Sequence, residues 1–227
     1  MLLISKGEMS FPDPRQGDDE GLIACGGDLS PERLLFAYSI GIFPWYDPED
    51  PILWWSPNPR LVLFPEEVKV AKSMRPYFNS SKFTFSIDKA FRKVMESCGV
   101  ANRKNQGGGT WISEEIIEAY CRLHEMGYAH SAEVWDEKGE LVGGLYGLAI
   151  GKVFFGESMF AKVSNASKFG FISLVKKLAE CGFELIDCQQ ETRHLASLGA
   201  RAIARDDFMV LLERWIPDQP EEAAFQL

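Results

Sequence analysis

The sequence predicts an α+β fold, a mixed α/β sheet built from hairpins and crossovers, on three observations. Two apolar runs, Leu141–Ile150 and Lys152–Phe160, meet at Gly151, where a hairpin turn needs a residue that tolerates positive φ. A helical segment follows: Ser164 or Asn165 can cap it, Phe169, Ile172, Val175 and Leu178 recur every third residue, and Gly182 suits a left-handed stop. Phe183–Gln189 then reads as a buried strand, so the central unit is strand, strand, helix, strand. No internal repeat is present.

Around that unit the chain divides into a small N-terminal domain, residues 1–62, and a larger domain, residues 63–227. Phe11–Glu20 is polar and proline-containing, an irregular lead. Gly26-Gly27 is a turn, Ser30 a good N-cap with Pro31 at the first helical position, and Leu34, Leu35, Ala37 and Tyr38 carry the helix to Gly41. Phe43–Pro59 sets Phe43, Trp45, Tyr46, Trp54 and Trp55 among five prolines. Proline donates nothing to a ladder, so a rigid aromatic loop is expected there and a central strand is not. Rings so held lose little entropy on meeting a flat ligand, and a stacked base is worth about 1–3 kcal/mol. For Trp54 and Trp55 the alternative is a plain core role.

Arg60–Pro65 reads as a strand at the boundary. Phe83–Ile87 alternates as a strand, and Asp88 can cap the helix that carries Phe91, Val94 and Met95. Asn102–Gly109 is a loop by composition. Ser113 caps a helix with Ile116, Ile117, Tyr120 and Leu123 on one side, and Ala129–Trp135 with its turn at Asp136–Gly139 is the next strand. After Gln189 a short helix runs to Gly199 and a last one from Asp206 to Trp215.

At 227 residues and 46% hydrophobic content the chain can bury a sizeable core. No apolar run approaches the ~20 residues of a membrane span, and Met1–Ile4 is too short for a signal-peptide core, so a cytoplasmic protein is expected. Five cysteines form no CxxC pair and suggest reduced thiols. His124, His130 and His194 show no metal-ligand spacing. Neither a metal nor another cofactor is expected. The net charge of −9 is unevenly placed: residues 60–104 hold ten basic against four acidic side chains. Such a segment, Lys69, Lys72 and Arg75 included, could guide a polyanion; the alternative is that these residues are the wet faces of two helices.

Candidate chemistry lies in the central unit. Side chains alternate along a strand, so Asp187 and Gln189 are expected on one face, ~7 Å apart. Glu157 sits among Phe154, Phe155, Met159 and Phe160. An unpaired buried carboxylate costs several kcal/mol, so such acids need partners or a job. Alternatively the strands end there and the acids face water.

The element order resembles the N-acyltransferases of the GNAT kind, whose helix after the central strand opens on a glycine-bearing pyrophosphate loop. Here the equivalent Asn165–Gly170 holds one late glycine, a poor fit to coenzyme A. More closely, the chain resembles the leucyl/phenylalanyl-tRNA-protein transferase family. The resemblance is carried by GGDLSPERLLFAYSIGIFPW (26–45), DPILWWSPNPR (50–60), GTWI (109–112), EAYCRLHEMGYAHSAEVW (118–135), LVGGLYG (141–147), FFGESMF (154–160), NASK (165–168), LIDCQ (185–189) and HLASLGA (194–200). Leu145 stands in place of a methionine.

What the resemblance implies is transfer of Leu or Phe, with Met a third donor residue, from aminoacyl-tRNA to the N-terminal Arg or Lys of an acceptor protein, marking it for degradation. Asp187 and Gln189 would be the catalytic pair, Asp187 orienting the amide of Gln189. Glu157 and Asp187 could instead bind the acceptor's cationic side chain. Trp45 and Trp111 would meet the terminal adenosine, with Tyr38 and Tyr120 nearby. Leu145, Phe154, Met159 and Ile186 would surround the aminoacyl side chain, and Lys69, Lys72 and Arg75 would meet tRNA phosphates. A monomer without cofactor is expected. The competing functions are an acetyl-CoA-dependent N-acetyltransferase and a non-catalytic RNA-binding module.

Overall fold

The computed structural model describes residues 2–18, 20–105 and 110–218. Two sheets organise them. The smaller has the order β1-β2-β4-β3: β1 (Leu2–Ile4) runs parallel to β2 (Leu22–Gly26), and β3 (Phe43–Pro44) and β4 (Leu53–Trp55) complete it antiparallel. Helix α1 (Pro31–Ser39) links β2 to β3. The expectation that Phe43–Pro59 excludes a central strand is overturned, because β4 lies between β2 and β3. The prolines flank β4 instead of entering it, and the one inside a strand, Pro44, stands on the edge, where no ladder donor is missed. Trp54 is fully buried and donates its indole N–H to the Gly26 carbonyl at 2.9 Å, a core role.

The larger sheet has the order β11-β5-β10-β9-β8-β7-β6. Its strands are β5 (Arg60–Leu63), β6 (Phe83–Ile87), β7 (Ala129–Asp136), β8 (Leu141–Ile150), β9 (Val153–Ala161), β10 (Leu185–Gln189) and β11 (Arg201–Ile203). Helices α2 (Arg75–Phe78), α3 (Phe91–Asn105), α4 (Glu114–Glu125), α5 (Ala166–Glu180), α6 (Arg193–Ser197) and α7 (Arg205–Trp215) surround it. Every neighbouring pair is antiparallel except β9 and β10, which the crossover helix α5 joins in parallel. The expected strand, strand, helix, strand unit is therefore present. Gly151 makes its turn at φ +56°, where a Cβ would meet the Ile216 carbonyl at 2.3 Å.

Apolar clusters cover both faces of this sheet. One joins Tyr38, Trp54, Val94, Ile116, Tyr120, Tyr146, Phe155 and Phe208; the other joins Leu145, Phe154, Ile186 and the α5 stripe of Phe169, Ile172, Val175 and Leu178. That stripe is buried as its three-residue spacing requires.

Local signals were satisfied in unexpected ways. Asn165 precedes α5 at φ +68°, and its side-chain amide donates to the Tyr77 hydroxyl at 3.0 Å rather than capping the helix. Asp88 does not cap α3: it accepts the Ser131 N–H at 2.8 Å and faces His130 Nδ1 at 2.7 Å. The buried Glu133 of β7 takes the Ala90 N–H at the start of α3 instead, at 3.3 Å. Ser113 does cap α4, accepting from the Ile116 N–H at 3.3 Å. The backbone of α3 continues through Asn102 to Asn105, part of the expected loop; residues 106–109 of that loop lie outside the described residues. Strands β1, β2 and β11, of three to five residues, carry no sequence signal.

Arg205 ties the small sheet to the last helix. Its Nη1 donates to the Ser56 and Asp18 carbonyls at 2.7 and 2.9 Å, and its backbone N–H donates to Asn58 Oδ1 at 3.0 Å. Ile172→Ala, which empties a fully buried site under the sheet, is expected to cost about 2–5 kcal/mol. A lowered urea midpoint at unchanged slope would show it.

Candidate active site

The ladder between β9 and β10 ends at the Phe155–Asp187 pair, although both strands continue beyond it. Past this level each strand carries one extra residue. On β9, Gly147 of β8 pairs with Gly156 and Tyr146 with Ser158, leaving Glu157 over. On β10, Val62 of β5 pairs with Asp187 and Leu61 with Gln189, leaving Cys188 over, and Gln189 has φ +60°. Bulges bend a strand and re-aim its side chains. Here they flank a cleft of about 380 Å³ with Leu145, Met159, Phe171 and Ile186 as apolar wall, Trp45 and Trp111 at its aromatic side, and Glu157 and Gln189 as polar groups.

The β9 bulge has a steric origin. At Gly147 a Cβ would stand 2.1 Å from the Phe155 carbonyl and 2.7 Å from Phe154 Cζ, so only glycine lets β9 come this close. It also breaks the two-residue alternation: Phe155 belongs to the cluster of Tyr38 and Tyr120, whereas Met159 belongs to that of Leu145 and Ile186.

Glu157 is held from three elements. Its Oε1 accepts from the Tyr38 hydroxyl at 2.6 Å and from Gln189 Nε2 at 2.8 Å; its Oε2 accepts from the Tyr120 hydroxyl at 3.3 Å. The two tyrosine hydroxyls lie 2.5 Å apart. Burial pushes the Glu157 carboxyl up to about 7, helped by the nearby charge of Asp187 and opposed by the bonds from Tyr38, Gln189 and Tyr120.

Asp187 is placed differently from expectation. The bulge breaks the alternation that put it on one face with Gln189: Val62, opposite Asp187, packs in one cluster and Leu61, opposite Gln189, in the other. Its side chain is fully buried and bound by Arg60 through Nε–Oδ1 at 2.8 Å and Nη2–Oδ2 at 2.7 Å. Arg60, equally buried, lies 4.8 Å from the centre of the Phe43 ring and 4.7 Å from that of Phe208. Asp187 Oδ1 also accepts the Gln189 backbone N–H at 2.9 Å. Both of its oxygens are committed and neither lines the cleft, so it offers nothing to an acceptor's cationic side chain.

Likeness to known proteins decides where this arrangement belongs. Residues 62–213 match the model of the leucyl/phenylalanyl-tRNA protein transferases, and residues 27–58 match the N-terminal domain of the same proteins. The chain belongs to this family. A leucyl/phenylalanyl-tRNA–protein transferase of Nitrosospira multiformis is 56% identical over 196 residues, covering 86% of this chain and 83% of that one. The one of Christiangramia forsetii is 57% identical over 204 residues, covering 89% and 95%. Among solved structures, a conserved protein of unknown function from Bacteroides thetaiotaomicron overlaps 61% of this chain and 53% of its own at 13% identity, with a TM-score of 0.47.

Within this transferase-family chain, the other residues expected at the site divide into three groups. Leu145, Met159, Ile186, Trp45 and Trp111 line the cleft. Trp45 is 37% exposed and is braced by Trp55, whose indole N–H donates to the Trp45 carbonyl at 2.6 Å. Phe154, Tyr38 and Tyr120 lie behind the surface, Phe154 supporting the wall and the tyrosines holding Glu157. Lys69, Lys72 and Arg75 are exposed, on a stretch of two 3₁₀ turns and α2 rather than on long helices. Arg92, from the same basic segment, is engaged by Glu114 and Glu118 of α4.

His194 also faces this site, although no expectation singled it out. It lines the cleft with a buried Nε2 that has no hydrogen-bond partner, and burial and Lys168 push its pKa down. Its signal was the stretch HLASLGA, whose position after β10 gave no direction to the ring. Among the described residues one group has metal-ligand chemistry, Asp88 with His124 and His130. It shares no residue with the cleft, and His124 Nδ1 and His130 Nε2 already face the Ala129 and Gly127 carbonyls at 2.7 and 3.1 Å.

Asp187→Ala strands the Arg60 charge in the interior and is expected to destabilise by about 3–5 kcal/mol in denaturant titration. Glu157 yields a pH-dependent prediction. Its folded pKa of about 7 lies above the ordinary 4.5, so its contribution to stability is full below 4.5 and is lost as pH rises through 7. Glu157→Gln should therefore flatten the fall in unfolding free energy across that window.

Proposed function

We propose that the protein transfers Leu or Phe from aminoacyl-tRNA to the N-terminal Arg or Lys of an acceptor protein. The observation that carries this reading is the juxtaposition of a cleft of about 380 Å³, walled by Leu145, Met159, Phe171 and Ile186, with Glu157 and Gln189 at its polar side. Relatives bearing the name of this activity cover most of the chain.

An aminoacyl ester is already activated, and its conversion to an amide runs downhill without ATP. The task left to the protein is positioning and stabilisation of the oxyanion. In our reading the donor's apolar side chain fills the wall of Leu145, Met159 and Ile186, with Phe154 behind it. The thioether of Met159 adapts to both branched and aromatic shapes. Trp45 and Trp111 receive the terminal adenosine as stacking surfaces.

Gln189 and Asp187 act as a unit. Gln189 Nε2 is committed to Glu157, which leaves the carbonyl oxygen of the amide to accept an N–H of the attacking amine. Asp187 positions Gln189 through its backbone N–H, not through its side-chain amide. In this reading the exposed Lys69, Lys72 and Arg75 meet tRNA phosphates.

Incubation with labelled Phe-tRNA and a peptide beginning with Arg should yield the N-terminally extended peptide. Acetyl transfer from acetyl-CoA, or tRNA binding without any transfer, would refute the reading. Replacing Lys69, Lys72 and Arg75 together by Ala should weaken tRNA binding and flatten the plot of log K against log salt, by about 0.9 for each phosphate no longer neutralised. An unchanged slope would remove that segment from the interface.

A further inference from the structure

We infer that Glu157 is the proton-transfer group of the reaction: it takes the proton from the attacking amine and returns it to the ribose oxygen that leaves. This deepens the transfer reading above and rests on it.

The geometry narrows the choice. Peptide-bond formation from a neutral amine and an ester must move one proton from nitrogen to the departing oxygen. Gln189 lies beside the cleft, but an amide is a feeble base. Asp187 is a base by type, yet Arg60 and the Gln189 N–H occupy both of its oxygens in a fully buried position. Glu157 is the one carboxylate lining the cleft among the described residues.

Its contacts also suit a shuttle. The three groups that hold it, the Tyr38 and Tyr120 hydroxyls and the Gln189 amide, all donate to it. A carboxylate has roughly four lone-pair sites, so one acceptor position remains for an incoming N–H. The bulge that sets Glu157 apart from its ladder points it at the same space as the Met159 wall. The titratable side chains around it are Tyr38 from α1, Tyr120 from α4, Tyr146 from β8 and Asp187 from β10, and the Asp187 charge is met by Arg60. Burial brings Glu157 to about 7, where it can both accept and release a proton at neutral pH.

The step balances. The amine lone pair forms the C–N bond and the carbonyl π pair moves onto oxygen. Glu157 takes the extra proton from that nitrogen. The oxyanion then restores C=O, the ester C–O bond breaks, and the ribose oxygen receives the proton from Glu157. The products are an amide and a free hydroxyl, with no net proton change.

Transfer from Phe-tRNA to an Arg-initiated peptide, followed from about pH 5.5 to 8.5, tests this. Both the peptide's α-amine, with a pKa of about 7.7–8.0, and Glu157 must be deprotonated, so log kcat/KM for the wild type should rise with a slope approaching two in acid. Glu157→Gln should lower kcat by about 10²–10⁴-fold, leave KM for Phe-tRNA unchanged and reduce that slope to one. Tyr38→Phe removes a bond that favours the carboxylate and should move the acid limb to higher pH. A slope of two that survives Glu157→Gln, a loss confined to KM for the peptide, or an acid limb unmoved by Tyr38→Phe overturns the inference alone. Absence of transfer by the wild type overturns the underlying reading as well.

Discussion

An arginine and an aspartate without access to water, Arg60 and Asp187, hold the site together. Each charge alone would cost several kcal/mol in the interior, and the two-point contact between them is what makes either tolerable. The pair fixes more than its own neutrality. It locks β5 to β10 at the last regular rung, and its guanidinium sits against Phe43 of the small sheet and Phe208 of the last helix. Through one ion pair the small sheet, the large sheet and α7 share a single geometry at the root of the cleft.

Above that rung the two parallel strands part. A parallel ladder that stops while its strands continue leaves backbone and side chains to face a common space. The two bulges make use of it, Glu157 on one lip and Cys188 beside Gln189 on the other. The left-handed backbone of Gln189 belongs to the same device, since an unfavourable conformation persists only where its surroundings enforce it. Here the enforcing contacts are the Asp187 carboxylate on its N–H and the Glu157 carboxylate on its amide.

The electrostatics divide between a carboxylate matched by a buried cation and one that is not. Asp187 is saturated by Arg60 and cannot leave its place, whereas burial, helped by the Asp187 charge, draws Glu157 toward its protonated form, and the neutral donors Tyr38, Gln189 and Tyr120 offset this only in part. Two acids a few residues from glutamine and phenylalanine look alike in a sequence. Their partners, contributed by residues 60, 38 and 120, make one a fastening and the other a titrating group.

Periodicity by itself determined the central hairpin, the α5 stripe and the strand that ends in Asp187 and Gln189, because runs of apolar residues at fixed spacing can be buried in few ways. The stretches from GGDLSPERLL to HLASLGA likewise pointed to the family before any contact was known. Only the tertiary structure decided which way the polar groups point. A bulge inserts one residue without altering composition, so the alternation that set Asp187 beside Gln189 failed, and the flanking prolines concealed a central strand at Leu53–Trp55. Pairings across 127 residues, as between Arg60 and Asp187, leave no local trace, and they are what turn a row of buried acids into a site.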